Sequence, residues 1–415
     1  MKTIQNLASI AIVAAMMTTS SSCKKDDTTT TNTTTVQPKT ISCNERIRTN
    51  TTWADVNSDP NAVDYIINCW VNVDDQAILT VAPGVRIHFT STNAGIGVLG
   101  ESGLNMQGTA DKPIVLEGVQ HVPGEWVGVQ IGSNNVNTIF DYVTFADAGS
   151  EIWNIVSNKA AALQISGDYW GQHRISKIQH CTFKNTQGSG IFAGIGAMVY
   201  NIGNNNFINN QKAPIVTDLK IASTLDNTNT FTGNAEQFVS IYVRPSGNGY
   251  TQDMTIKNIG IPYRVADGVT IGFYSGTYTI EPGVVFQMGA NSFILTYYSG
   301  SAIIKAIGTA TSPITFTGVQ QIAGYWGGIT ICTNQDNRLE YCNFAFGGSA
   351  DHDAPGSGHK ANVFVSYFNN GRLTMHNCDS KNSATYGLSY RSTGCTVDLL
   401  NNTYSNNGIG DIEVY

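Results

Sequence analysis

Charge is what this sequence has least of. Only 13% of its 415 residues are Asp, Glu, Lys or Arg, about half the share usual in soluble domains. No Lys/Arg-rich run occurs, and the net charge of −7 becomes −8 once the leader's single charge, Lys2, is removed; together these exclude a nucleic-acid binder. Long apolar runs are scarce as well. The one near the start, Leu7 to Met17, is too short to span a bilayer. Beyond it no twelve-residue stretch carries a 3.6-residue apolar period, which excludes long amphipathic helices. No Cys-x-x-Cys pair is present, and no His stands at ligand spacing from a cysteine, so no metal site is expected. Apolar residues still make up 41%, enough for a core, and wholesale disorder is excluded.

Residues 1–22 read as a signal peptide: Lys2, the apolar run, then small residues Thr18 to Ser22. Ser20-Ser-Ser-Cys23 resembles a lipobox whose usual Leu is replaced by Ser20. Cys23-Lys-Lys-Asp-Asp27 is similar to the start of Bacteroidetes lipoproteins. That resemblance implies lipidation of Cys23, a membrane contact through the lipid anchor, and an outer-membrane, surface-exposed location. The alternative is an ordinary leader with a cysteine near its cleavage site. Residues 23–36 then form an anchored tether, because Thr28 to Thr35 offer nothing to bury.

The body, 37–415, is written twice at an offset near 200. Leu79-Thr-Val-Ala-Pro-Gly-Val85 returns as Tyr278-Thr-Ile-Glu-Pro-Gly-Val284, and Gly108-Thr-Ala-Asp-Lys-Pro-Ile114 returns as Gly308-Thr-Ala-Thr-Ser-Pro-Ile314. Gly124-Glu-Trp-Val-Gly128 returns as Gly324-Tyr-Trp-Gly-Gly328, and Phe140 to Phe145 as Leu339 to Phe344. Unit one covers about 53–254 and unit two about 255–415, with an N-terminal cap over 37–75. Within each unit, short period-two runs such as Val85-Arg-Ile-His-Phe89 are separated by Gly, Asn and Asp clusters, the spacing of an all-β fold. Asn residues at strand ends (Asn205, Asn210, Asn402, Asn407 and neighbours) predict stacked ladders.

The phrases Leu-Thr-Val-Ala-Pro-Gly-Val, Gly-Thr-Ala-x-x-Pro-Ile and Gly-x-Trp-x-Gly resemble those of right-handed parallel β-helix proteins of the pectin-lyase-like class, from about Trp53 to the C-terminus. The resemblance implies an all-β solenoid of two tandem units of about 200 residues. At roughly 22–25 residues per coil this predicts on the order of 14–16 coils. The competing fold is a pair of β-sandwich domains. The class hosts lyases, hydrolases, adhesins and spacers, so the fold alone assigns no activity.

Hydrolases of this class carry paired aspartates, Gly-His-Gly and Arg-x-Lys, and these do not occur together here. Lyases need an acidic Ca²⁺ cluster, so calcium is a cofactor only if the chain is a lyase; otherwise none is expected. The weak catalytic candidates are Asp351, Asp353, His359 and Lys360, set beside the reading of 351–360 as a solvated loop. Asp141 and Glu340 occupy matching strand positions and read as solvated outward carboxylates. Trp126 and Trp326 read as scaffold aromatics.

The candidate binding residues are Tyr169 and Trp170, with Asp168, His173 and, on the preceding lateral loop, Trp153. The insertion that carries Tyr169 and Trp170 is longer than its counterpart in unit two, and flat aromatic faces suit sugar rings or a protein surface; the alternative is that they cover the coil edge. With Cys23 lipidated, seven cysteines remain. A Cys43–Cys69 disulfide is expected to clamp the N-terminal cap. Cys332 and Cys342 are a second candidate pair, and Cys181 and Cys378 read as buried small residues.

The leading functional reading is a non-catalytic cell-surface lipoprotein that binds glycan or another extracellular partner. The alternatives are a divergent polysaccharide lyase or glycoside hydrolase, and a structural or adhesive spacer.

Overall fold

The structure is a computed structural model that describes residues 36–42, 46–57, 59–151, 159–166, 173–194, 196–242, 249–351 and 358–415. It is a right-handed parallel β-helix, not a pair of sandwiches. In unit one the chain visits three faces in turn. Face one has eight strands, from Lys39–Ile41 to Thr230–Thr232; face two begins at Arg46–Ile47; face three has six strands, from Thr51–Trp53 to Ile202–Gly203. Face two continues without a break through both units to Thr403–Ser405 and contains fourteen strands. The only helix among the described residues is Leu219–Ala222, capped by the Asp218 side chain.

The winding amounts to about 13 turns, fewer than the sequence predicts. Some coils do stack at a 24-residue separation, as Asn205 on Asn229 does. Others carry lateral excursions, and Cys342 stacks on Cys378 at 36 residues. Residues 37–75, read from sequence as a cap, supply the first strands of all three faces.

Strands form because alternate residues turn inward and stack on their own kind. Phe145, Phe183, Phe207 and Phe231 make one such column, with ring centroids 4.9, 5.1 and 5.3 Å apart. Each stacked pair contributes roughly 0.5–1.5 kcal/mol beyond the area it buries. At the corners, Asn side chains do the work of a missing ladder. Asn210 Nδ2 donates to Phe183 O (3.1 Å) and to Asn234 Oδ1 (2.8 Å), and its Oδ1 accepts from Thr186 N (3.2 Å) and Thr186 Oγ1 (2.7 Å). Asn209, Asn377 and Asn401 take left-handed backbone at these corners, as short amide side chains allow. The glycines of Gly-x-Trp-x-Gly answer to the same demand: Gly124 and Gly324 have φ of 81° and 77°, Gly128 and Gly328 of 120° and 109°.

The two units are out of phase. Ile87 of unit one lies on face one, stacked on Leu116, which stacks on Phe145. Their sequence counterparts Phe286, Phe316 and Phe344 stack at 5.5 Å on face two. Beyond Thr232 and Gly203, two new six-stranded sheets take over the other sides, beginning at Met254–Ile256 and Thr270–Phe273. Unit two is therefore rotated by one face relative to unit one, and face two is the hinge of the register.

Cys181, Cys342 and Cys378 are buried free thiols, so no Cys332–Cys342 bridge forms. Their corner position explains them: Cys342 N lies 3.4 Å from Cys378 Sγ, and Cys181 N and Cys378 N donate to Asn205 and Asn402 as rungs of the ladders. Burial pushes the Cys181 thiol up to about 12. Cys43, and with it the Cys43–Cys69 clamp, lies outside the described residues.

Ile114 is wholly buried. Ile114→Asp should destabilise the protein by several kcal/mol, since it buries an unpaired carboxylate. Asn210→Ala should cost about 2–4 kcal/mol, against under about 1 for the exposed Asn401→Ala. Chemical denaturation followed by far-UV circular dichroism checks both; equal losses at Asn210 and Asn401 would refute the ladder's energetic role.

Candidate functional site

Low overall charge makes any concentration of titratable groups conspicuous, and one lies at the corner between faces one and two of unit one. The strand Arg86–Phe89 buries Ile87 and Phe89, which turns Arg86 and His88 outward. One coil on, Glu117 in Ile114–Gly118 pairs in register with His88. Glu117 Oε1 accepts from the Arg86 guanidinium and lies 3.2 Å from His88 Nε2. The chain then turns at His121, which has φ +54°. His121 Nδ1 is 4.0 Å from Glu117 Oε2 and 3.2 Å from Oδ2 of Asp147, a coil further along. A fourth coil adds Asn185, whose Nδ2 donates to Asp147 Oδ1 (2.6 Å) and to His121 O (3.1 Å).

The carboxylates are deep and the bases shallow. Glu117 and Asp147 side chains are 7% and 3% exposed, whereas His121 is 61% exposed. Burial alone would raise the Glu117 carboxyl above its ordinary 4.5; the His88 hydrogen bond and the Arg86 charge outweigh burial and hold it at about 2. Among the described residues, no group of three or more His, Cys, Asp or Glu side chains is arranged to hold a metal ion.

The second unit shows that the scaffold does not require this cluster. The positions of Arg86, His88, Glu117, His121 and Asp147 are taken there by Val285, Gln287, Thr317, Gln321 and Phe346. The scaffold itself is retained. Trp126 and Trp326 are both fully buried and donate to the carbonyls of Ala146 (2.7 Å) and Ala345 (2.8 Å). Unit two thus repeats the corner with all five titratable side chains neutralised.

None of the described residues singled out from sequence as catalytic or binding candidates belongs to this corner. Trp153, Asp168, Tyr169, Trp170 and Asp353 are outside the described residues. His173 leads into the short strand Arg174–Ile175, its carbonyl accepting from Met198 N at 2.8 Å. Asp351 Oδ2 accepts from Gly358 N (2.8 Å), and the Lys360 carbonyl accepts from the Thr385 hydroxyl. The His359 ring stacks on Tyr415 at 3.6 Å, with Nδ1 3.1 Å from Glu413 Oε2. Ser389 Oγ donates to that same oxygen at 2.6 Å. The carboxylate, not the imidazole, is therefore central in this trio, the wrong order for activating a serine. Asp141 is not a freely solvated carboxylate: Lys177 Nζ and His180 Nδ1 hold it at 2.6 and 2.8 Å.

The corner was missed because its members come from four coils and share no sequence motif. A position-by-position comparison of charge between the two units would have found it.

A solenoid wound in this way defines a class of protein, the parallel β-helix, here with titratable groups gathered on one flank. Residues 47–159, which include all five titratable members of the corner, match the family model of the pectate-lyase like beta helix domain. No curated protein and no solved structure matches the chain.

Because folding lowers the Glu117 carboxyl, its contribution to stability is complete above about pH 4.5 and is lost as the pH falls through about 2. Glu117→Gln should therefore cost about 1–2 kcal/mol near pH 7, allowing for solvent screening of the partners, and almost nothing at pH 2. Paired melting curves at the two pH values test this; a gap that does not narrow in acid would refute it.

Proposed function

We propose that the chain is a lipid-anchored β-helix protein of the outer-membrane surface that binds an extracellular glycan or surface protein without catalysing a reaction on it. One observation carries the reading: five titratable residues gather at one corner of unit one, and every counterpart in unit two is neutral. Stability cannot account for residues that the same scaffold does without. Binding is favoured over cleavage because Glu117 and Asp147 are buried and already engaged by Arg86, His88, His121 and Asn185. Neither is poised to protonate a leaving group or activate water on a polysaccharide. Arg86, His88 and His121 remain at the surface as recognition groups. The anchor assignment rests on Cys23 and the tether that follows it.

A second reading draws on His121. With Nδ1 3.2 Å from Asp147, its imidazole has the orienting carboxylate that a general base uses. A divergent lyase or hydrolase would work through it.

One assay separates the two. The protein is incubated with acidic and neutral polysaccharides, with and without Ca²⁺, while new reducing ends, unsaturated products and retention on immobilised polysaccharide are followed. The expected outcome is retention without turnover, with at least tenfold weaker retention of acidic ligands or surface partners in an Arg86→Ala/His121→Ala variant. Turnover abolished by His121→Ala would replace the binding reading by the enzymatic one. Cys23→Ala should move the protein from the membrane to the soluble fraction; an unchanged membrane fraction would refute the anchor.

A further inference from the structure

Across the same corner, on face two, the chain builds a groove that the charged cluster does not use. In the strand Trp70–Val73, Val71 and Val73 point inward, leaving Trp70 and Asn72 outside. The next coil meets them with glycine: Trp70 pairs with Gly95 and Asn72 with Gly97. The indole lies across both. A Cβ on Gly95 would collide with its ring, and one on Gly97 would stand 2.8 Å from it. Here the glycines are required by close approach, because the coil must be bare where the ring lies. The indole N–H is already satisfied, donating to Asn72 Oδ1 at 2.9 Å.

Beside the ring runs a groove of about 490 Å³, within the range of small-molecule sites. Asn72, Asn93 and Gln130 give it amides, Leu99 and Val127 give it apolar wall, and Glu151 is the one charged residue among the described residues that line it. Gln130 pairs in register with Gly97, and its amide lines the groove as both donor and acceptor. A ligand hydroxyl entering the groove meets that amide beside those of Asn72 and Asn93.

Unit two again lacks the device. The pairs Trp70–Gly95 and Asn72–Gly97 become Thr270–Phe293 and Gly272–Leu295, and Gln130 becomes Thr330. There Phe293 and Leu295 fill the strand surface where unit one has Gly95 and Gly97, and the ring that packs on it is that of Tyr297, against Gly272.

We propose that this groove binds a neutral oligosaccharide, with one pyranose ring against Trp70 and its hydroxyls on Asn72, Asn93 and Gln130. The inference rests on the reading of the chain as a binding protein and names its ligand class. An aromatic face with apolar wall suits the C–H face of a sugar ring. Amides supply donor and acceptor together, as vicinal hydroxyls require. Among the described residues no Lys or Arg lines the groove, and Glu151 repels anions, so a carboxylated or sulfated sugar would enter without a counter-charge.

The test is calorimetric titration of the protein with neutral hexasaccharides of glucose, mannose and xylose, and with hexagalacturonate as the anionic probe. At least one neutral probe should bind, with hexagalacturonate at least tenfold weaker at this groove. Trp70→Ala should weaken the neutral probe at least tenfold, Trp70→Phe by less, and Asn93→Ala/Gln130→Ala severalfold, while Asn401→Ala, at an exposed position of unit two, leaves it unchanged. The double amide variant keeps the ring in place and decides the matter if Trp70→Ala melts early. Three outcomes overturn the groove. In one, no neutral probe binds while acidic glycan or a protein partner still binds through Arg86 and His121, and the broader binding reading stands. In another, neutral binding is indifferent to both Trp70 and the amides in folded variants. In the third, every probe is inert or is turned over, and the binding reading falls as well.

Discussion

Each strand inside the stack has the same two neighbours, its own counterparts one coil before and one coil after. That constraint governs what each position can hold. An apolar residue can be repeated indefinitely in a column, as the phenylalanines of face one are. An amide can be repeated because it carries donor and acceptor together, hence Asn210 on Asn234 and Asn205 on Asn229. A charge cannot be repeated, because like charges in adjacent strands repel at strand spacing. Several of the charges that do appear are answered from another coil by the opposite sign, Glu117 by Arg86, Asp141 by Lys177 and Asp55 by Lys112, and others within their own strand, Glu340 by Arg338 and Asp379 by Lys381. The sparse charge of the sequence is thus a property of the stack, and the corner cluster is the stack's densest exception.

The exception has a graded interior. Carboxylates sit deepest, where the guanidinium and imidazole groups keep Glu117 ionised despite burial. His121 stands outermost on a left-handed turn residue. The turn that carries it runs on to Val127, which walls the groove on face two. A single excursion between two strands therefore contributes to both a charged surface and an uncharged one.

Much of the fold was legible because its strongest signals are backbone requirements. Gly124, Gly128, Gly324 and Gly328 have backbone angles that suit only glycine, so they hold their places in the repeated phrase while neighbours drift. The Asn ladders were legible for the same reason. The coil count was overestimated because lateral excursions such as that between Gly118 and Gly128 lengthen a turn without adding a strand. The sites were much harder to read. Trp70 looks like an ordinary strand aromatic until Gly95 and Gly97 are seen beneath it, and Asp147 follows a strand like any turn residue. Their meaning depends on which coil lies next, and that is set by loop lengths rather than by local pattern.

The slip of one face between the units has a consequence for valency. Repeated modules usually gain avidity by presenting the same feature to the same side. Here the second copy of each motif opens toward another side of the prism, so a straight partner lying along the molecule meets it only once. Duplication has given this chain reach without multiplying its grip. It has also left the second copy free of whatever selection acts on the first, consistent with Phe346 and Thr317 standing where unit one keeps Asp147 and Glu117.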